Sequence, residues 1–206
     1  MHPATASEGA GSQGHPAAAP AAAPVTTRAA ALAQPGLGSD DLVQSDDFFQ
    51  QGLSPVGATV DLTGAQGLSA CSGEATIRTL TKGKAAAFAD VTWAFDTSDT
   101  RLAESAAEGS TNTAAASYEK QLNAVVRDCQ DEPEGHWYYG QGHAISVTGG
   151  KGTWYPTFNG DGSVAGGVAV IRGGHDVAIV ELTGQPSDDP TYVADITAAA
   201  LNRLAS

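Results

Sequence analysis

Aromatic and polar side chains alternate in one stretch of the second half of the chain. The residues at every second position there are Trp137, Tyr139, Gln141 and His143, and alternate residues of a strand lie on one face of its sheet. A later apolar stretch carries Glu181 on the same face as valines and isoleucines, where an unpaired carboxylate is costly. Polar groups beside a gap in an apolar face are typical of a binding pocket. We therefore predict a cleft for a polar or aromatic ligand; the alternative is that Glu181 reaches water at a sheet end and His143 is a hydrogen-bonded core residue.

Two other tryptophans, Trp93 and Trp154, lie in predicted strands and complete the candidate ligand-binding set. The alternative for this pair is that Trp93 is a core residue and that Trp154 covers an edge strand. We place the predicted cleft between sheet and helix. Its candidate residues are Trp93, Trp137, Tyr139, Gln141, His143, Trp154 and Glu181.

Catalytic and metal-binding motifs are not recognisable in the chain. It has no G-x-S-x-G nucleophile elbow, no Walker A loop and no H-E-x-x-H helix. The stretch 159–164 is similar to the start of a calcium loop, but Val164 stands where that loop needs glycine. We therefore expect a non-enzymatic protein with no catalytic residue, no metal site and no cofactor. The alternative is an acid–base enzyme with His143 and Glu181 as its pair.

The charge balance restricts the class of partner. Lys and Arg number 10, and Asp and Glu number 23, which gives a formal net charge of −13. Such an acidic surface repels phosphate backbones, so we expect no nucleic-acid partner. No stretch approaches the roughly 18 apolar residues of a membrane span. We expect the partner to be a small molecule or a cell-envelope component; the alternative is an interaction or inhibitor protein whose acidic face meets a basic protein.

The chain divides by composition into a tail and a domain. Residues 16–24 consist of alanine and proline alone, which cannot repay the entropy lost on ordering. We predict a disordered tail or stalk over residues 1–35 and a single domain over residues 36–206.

Hydrophobic periodicity predicts the elements of that domain. We expect helices at 111–128 and 190–204, and strands at 86–96, 101–108, 137–147, 153–158, 164–172 and 175–183. A two-residue loop at Gly173 and Gly174 predicts a hairpin that pairs Gly166 with Glu181, and Pro156 predicts an edge strand. Because the strands follow one another through hairpins, the predicted fold is α+β, a mostly antiparallel β-sheet with helices packed on one face.

The chain has two cysteines, Cys71 and Cys129. An even count at wide spacing predicts one disulfide in an oxidising compartment. The alternative is a pair of buried, reduced thiols in a cytosolic protein.

Several segments together resemble a known family. These are the Ala/Pro-rich tail, the helix that ends in Val125-Val-Arg-Asp-Cys129, the hairpin GGVAVIRGGHDVAIVELTG and the final Leu201-Asn-Arg-Leu204. The chain resembles the PknH-like extracellular sensor domain of actinobacteria, in its free secreted or lipoprotein form. The resemblance implies an antiparallel sheet flanked by helices, a secreted or cell-surface location, and a sensor-like cleft that binds a ligand.

Overall fold

The computed structural model describes residues 36–49, 52–68, 75–97, 99–184 and 189–206. The predicted tail, residues 1–35, lies outside the described residues. Four helices and a 3₁₀ turn at Ser39–Asp41 occur within the described ranges. The helices are α1 (Asp46–Phe49), α2 (Ile77–Leu80), α3 (Asn112–Asp128) and α4 (Thr191–Leu204).

Eight strands of the described chain form one sheet, and every strand pair in it is antiparallel. The strands are β1 (Pro55–Asp61), β2 (Ala87–Phe95), β3 (Arg101–Glu108), β4 (Tyr138–Tyr139), β5 (His143–Val147), β6 (Gly150–Phe158), β7 (Val164–Gly173) and β8 (Asp176–Thr183). Their order across the sheet is β1-β2-β3-β8-β7-β6-β4, and β5 also pairs with β6. The predicted α+β class with an antiparallel sheet is confirmed.

Elements with a strong periodic pattern match their predictions closely. β2 fills the predicted strand at 86–96, and α3 begins after its N-cap Thr111, whose hydroxyl accepts the Ala114 N–H at 3.1 Å. Such a cap satisfies one of the free N–H groups of the first helical turn. α4 begins one residue after Pro190, and the side chain of Asp189 accepts the Thr191 N–H at 2.9 Å.

The helices pack on both faces of the sheet, so the prediction of helices on one face is wrong. The face that we call the α4 face packs against α1, α4 and the 3₁₀ turn, and the α3 face packs against α2 and α3. Adjacent residues of β7 explain the difference: Val170 is buried under α3 and Ile171 under α4. A strand that is apolar on both faces needs cover on both.

The β7–β8 hairpin differs from its predicted register by two residues. Gly173 pairs with Asp176, and Gly174, the first loop residue, has φ of 56°, as a tight hairpin turn requires. Gly173 has another role, because a Cβ there would lie 2.6 Å from the Leu204 carbonyl oxygen at the end of α4. Glu181 therefore pairs with Val168, and since the shift is even, it stays on the predicted face.

The predicted strand at 137–147 is two strands with a break between them. Tyr139 of β4 pairs with Thr157, whereas His143 of β5 pairs with Trp154. The two registers differ by one residue, which turns the side chains of β5 to the opposite face. The prediction that Trp137, Tyr139 and His143 share one face is therefore wrong.

Pro156 lies opposite this break, and β6 is not the predicted edge strand. β6 pairs with β7 on one side and with β4 and β5 on the other. The Pro156 carbonyl accepts the Gly140 N–H at 2.8 Å, just beyond the end of β4. Proline fits here because the ladder is interrupted where its missing N–H would donate.

Of the two cysteines, Cys129 is the one that lies among the described residues. Cys129 follows the last residue of α3 and is fully buried in the apolar cluster of the α3 face. Cys71 lies outside the described residues. The disulfide between them stays a prediction.

Candidate ligand-binding cleft

A cleft of about 280 Å³ opens on the α3 face. The residues that line it come from the sheet and from two loop regions: Gly67, Leu68, Arg101, Ala103, Trp137, Tyr139, Thr157, Gly167, Glu181 and Thr183. None of these described residues belongs to α3, which packs on the sheet beside the cleft. Most of the lining is apolar, with a few polar groups, as is usual for small-molecule sites.

The floor of the cleft exists because the side chains there are small. Beneath α3 the sheet carries Val170 and Ile179, whereas the cleft floor carries Ala103 and Thr157. Gly167 borders the cleft through its backbone, since a Cβ there would point towards Val193 of α4. The neighbouring Gly166 has φ of 138°, and a Cβ on it would lie 2.0 Å from the Leu182 carbonyl oxygen. A side chain is therefore excluded at Gly166, and the sheet surface beyond α3 is lower than the surface that α3 covers.

One wall of the cleft is aromatic. The rings of Trp137 and Tyr139 meet edge to face, with centroids 4.7 Å apart and an interplanar angle of 65°. The wall is attached to the end of α3, because the Tyr139 N–H donates to the Cys129 carbonyl at 3.3 Å. The Gln130 side-chain amide also donates to the Gly140 carbonyl at 2.6 Å. The end of α3 therefore positions both rings.

The opposite wall is the loop that carries Gly67 and Leu68. The Gln66 side chain fixes this loop to the sheet: it donates to the Ser105 hydroxyl at 3.2 Å and accepts from the Thr92 hydroxyl at 2.6 Å. The Leu68 N–H donates to the Ala75 carbonyl at 3.0 Å. These bonds hold an apolar side chain across the cleft from the aromatic wall.

Two opposite charges line the same cleft, Glu181 on β8 and Arg101 at the start of β3. Ala103 pairs with Thr92 of β2 on one side and with Glu181 on the other. The Arg101 guanidinium reaches towards β2, where one of its nitrogens lies 3.4 Å from the Thr92 hydroxyl. The small Ala103 side chain therefore separates a cationic group from an anionic one.

Two buried carboxyl groups lie outside the cleft lining. Asp90 is 1 % exposed on β2, and burial raises its pKa. Glu104 is 0 % exposed on the α4 face, where its Oε2 accepts the Val43 N–H at 2.7 Å. Burial raises the pKa of Glu104 to about 8. Neither residue was singled out from sequence, since alternation alone does not distinguish them from exposed acids.

The structure brings three of the seven predicted site residues together: Trp137, Tyr139 and Glu181 line the cleft. Trp93 and Trp154 are buried in the apolar cluster of the α4 face. The Trp93 indole N–H donates to the Val43 carbonyl at 3.1 Å, as expected of a core tryptophan.

The two remaining candidates lie away from the cleft lining. His143 stacks on Trp154, with centroids 4.5 Å apart, which places it on the α4 face. Gln141 is exposed in the break between β4 and β5. His143 and Glu181, the acid–base pair of the enzyme alternative, therefore lie on opposite faces of the sheet.

Sequence reasoning missed Arg101, Leu68 and the floor residue Thr157. Arg101 begins a strand whose alternation is weak, and Leu68 lies in a loop without periodicity. The usable signal was Gly166-Gly167 within an otherwise apolar strand, since glycine inside a strand marks a missing side chain or a close backbone approach.

Comparison with known proteins supports the fold at a coarse level. No family model matches the chain, and no curated protein matches it. Among solved structures, the extracellular domain of PknH from Mycobacterium tuberculosis aligns with a TM-score of 0.52 and 11% sequence identity. The alignment covers 80% of this chain and 92% of that one. No helix in the described part of the chain is both long and apolar enough to cross a bilayer. The chain thus resembles the extracellular domain of PknH in fold, with little shared sequence.

Proposed function

We propose that this protein is an extracytoplasmic, non-enzymatic, sensor-like domain that binds a small ligand in the cleft of the α3 face. The observation that carries the proposal is the cleft itself: an aromatic wall faces an apolar wall over a floor with one charge of each sign. A volume of about 280 Å³ suits a small metabolite better than a polymer. The fold resemblance to an extracellular domain supports the location.

The separation of His143 from Glu181 favours binding over acid–base catalysis. Proton transfer requires the two groups to reach the same reacting atoms. His143 is stacked on Trp154 on the α4 face, while Glu181 lines the cleft on the α3 face. A binding site needs no such pair.

We also propose the Cys71–Cys129 disulfide as the clamp of this cleft. Cys71 follows Leu68 by three residues, and the Tyr139 N–H donates to the Cys129 carbonyl. Leu68 and Cys129 belong to one apolar cluster, and three residues of chain span up to about 10 Å. The bond would join the loop wall to the aromatic wall. It would also agree with an oxidising, extracytoplasmic compartment.

The experiment is native mass spectrometry of the domain exported to an oxidising compartment, compared with an Ala103→Phe variant. Phenylalanine at the floor fills the cleft without touching either wall's hydrogen bonds. We expect extra mass on the wild type that denaturation releases and that Ala103→Phe lacks. Ala116→Phe, at an exposed position of α3, is the matched control and should keep the extra mass.

A wild type without bound mass can also be tested with added compounds. Trp137 is the partly exposed tryptophan of the cleft wall, so its fluorescence should respond to a cleft ligand, and Trp137→Phe should remove the response. Equal behaviour of Ala103→Phe and Ala116→Phe in both measurements would contradict the proposed site.

A further inference from the structure

The arrangement of charges in the cleft restricts the chemistry of its ligand, given the proposed binding function on which this step rests. Arg101 and Glu181 line one cavity with opposite signs. A ligand with a single positive charge would be attracted by Glu181 and repelled by Arg101, and an anion the reverse. Only a ligand that carries both charges is complementary to both groups.

The Arg101 guanidinium extends to the β2 side of Ala103 and Glu181 lies on its β8 side, which leaves room for a short zwitterion between them. The Arg101 guanidinium leans to Thr92 on β2, and Glu181 lies on β8, so one strand with Ala103 stands between them. The positions of Thr92 on β2 and Glu181 on β8 are two strand spacings apart, which amounts to about 9.5 Å between the two backbones. An α-amino acid spans about 9 Å from an arginine nitrogen to a glutamate oxygen, since two charge-assisted hydrogen bonds of about 2.8 Å flank an amino-to-carboxylate distance of about 3 Å.

The remaining lining is suited to an apolar side chain. Above the floor lie the Trp137 and Tyr139 rings on one side and Leu68 on the other. Aromatic and aliphatic walls bind apolar groups and stack against rings. The volume of about 280 Å³ admits one such residue but not a folded chain.

We propose that the cleft binds a free α-amino acid with an aromatic or large apolar side chain. Its carboxylate contacts Arg101, its ammonium group contacts Glu181, and its side chain lies between Leu68 and the aromatic wall. Arginine can hold a carboxylate with two parallel hydrogen bonds, which fixes the orientation of the bound molecule.

The test is isothermal titration of the intact protein with L-phenylalanine, phenethylamine and 3-phenylpropionate. The three probes share the ring and differ only in charge. Removal of either charge deletes a charge-assisted hydrogen bond, so we expect both analogues to bind roughly tenfold or more weakly than phenylalanine.

Two variants assign the contacts. Glu181→Gln should weaken phenylalanine and phenethylamine but not 3-phenylpropionate, and Arg101→Gln should weaken phenylalanine and 3-phenylpropionate but not phenethylamine. Lys84→Gln, at an exposed position away from the cleft lining, is the charge control and should leave all three affinities unchanged.

Failure of this inference can be separated from failure of the proposed function. If none of the three probes binds while Ala103→Phe still removes a native ligand mass, the cleft binds another class of molecule and the amino-acid proposal is wrong. Equal affinity for phenylalanine and phenethylamine would also overturn it. If Ala103→Phe changes nothing either, the cleft is not a binding site.

Discussion

Glu104 makes the stability of the domain depend on pH in a defined direction. Its carboxyl group is fully buried beneath the segment that precedes α1, and it accepts the Val43 N–H at 2.7 Å. Burial is the main cause of its raised pKa, the nearby Asp47 and Asp41 charges raise it further, and the Val43 hydrogen bond and Arg203 oppose the shift. We predict that Glu104→Gln will remove a large part of the pH dependence of the unfolding free energy.

The magnitude follows from the two pKa values. The pKa of Glu104 rises from 4.5 to about 8 on folding. A carboxyl group whose pKa is raised on folding stabilises the protein at a pH below its pKa in the unfolded chain. That stability is lost as the pH rises towards its pKa in the folded protein. Each pKa unit corresponds to about 1.4 kcal/mol. Between pH 5 and pH 8.5 the wild type should therefore lose about 4 kcal/mol relative to Glu104→Gln.

Urea unfolding at the two pH values measures this difference directly. Comparison with the variant cancels the contributions of the other groups that titrate in this range, such as Asp176, whose pKa burial raises to about 6. Glu134→Gln, at an exposed turn position, is the control and should follow the wild type. The reasoning would be refuted if the difference in unfolding free energy between wild type and Glu104→Gln changed by less than about 1 kcal/mol between the two pH values. Such a result would mean that the pKa of Glu104 is not raised on folding.

Three further predictions concern the elements that form the cleft. Gly166→Ala should destabilise the domain by at least about 2 kcal/mol in urea unfolding, because φ is 138° and a Cβ would meet the Leu182 carbonyl. Gly57→Ala, with no atom within 4 Å of the new Cβ, should change stability by less than about 1 kcal/mol, and equal losses would contradict the account of the floor. Leu122→Ala, on the buried side of α3 where Leu122 is 1 % exposed, should cost about 2–5 kcal/mol, whereas a loss below about 1 kcal/mol would show that α3 does not cover the sheet as described. Reduction should lower the unfolding free energy by roughly 4 kcal/mol if Cys129 pairs with Cys71 across a loop of about 59 residues, and a reduced protein of unchanged stability would exclude the clamp.

The elements that could be predicted from sequence are those with a single, strong periodicity. β2 alternates from Ala89 to Phe95 with its apolar side chains on the α4 face, and α3 carries Tyr118, Leu122 and Val126 at helical spacing. These patterns arise because one face of each element meets one core. They specified the strands and helices but not the side of the sheet on which each helix packs.

The errors arose where neighbouring residues serve different purposes. Gly173 and Gly174 look like one turn, but one approaches the end of α4 and the other has the positive φ. Gly140 and Gly142 flank the break that turns His143 to the other face, and a Cβ on either would lie 2.6 Å from a ring of Phe158 or Tyr155. Local pattern does not contain these tertiary approaches, so the predicted site joined residues from two faces.

The cleft residues were predictable only in part for the same reason. Glu181 and the aromatic pair Trp137 and Tyr139 were visible as polar or aromatic side chains in apolar strands. Arg101 became a candidate only when the pairing of β3 with β8 brought it to the same cleft as Glu181. A site built from five strands and two loop regions depends on registers that sequence reasoning misjudged by one or two residues.

The most direct test of the central claim is a ¹H–¹⁵N spectrum of the three tryptophan indole groups, recorded with a mixture of amino acids, monosaccharides and polyamines. Trp137 lines the cleft, whereas Trp93 and Trp154 are buried on the α4 face. If a small molecule binds in the cleft, the Trp137 signal should move and the other two should stay in place, and Ala103→Phe should abolish the movement. Movement of the Trp93 or Trp154 signals instead, or of no signal at all, would contradict the account.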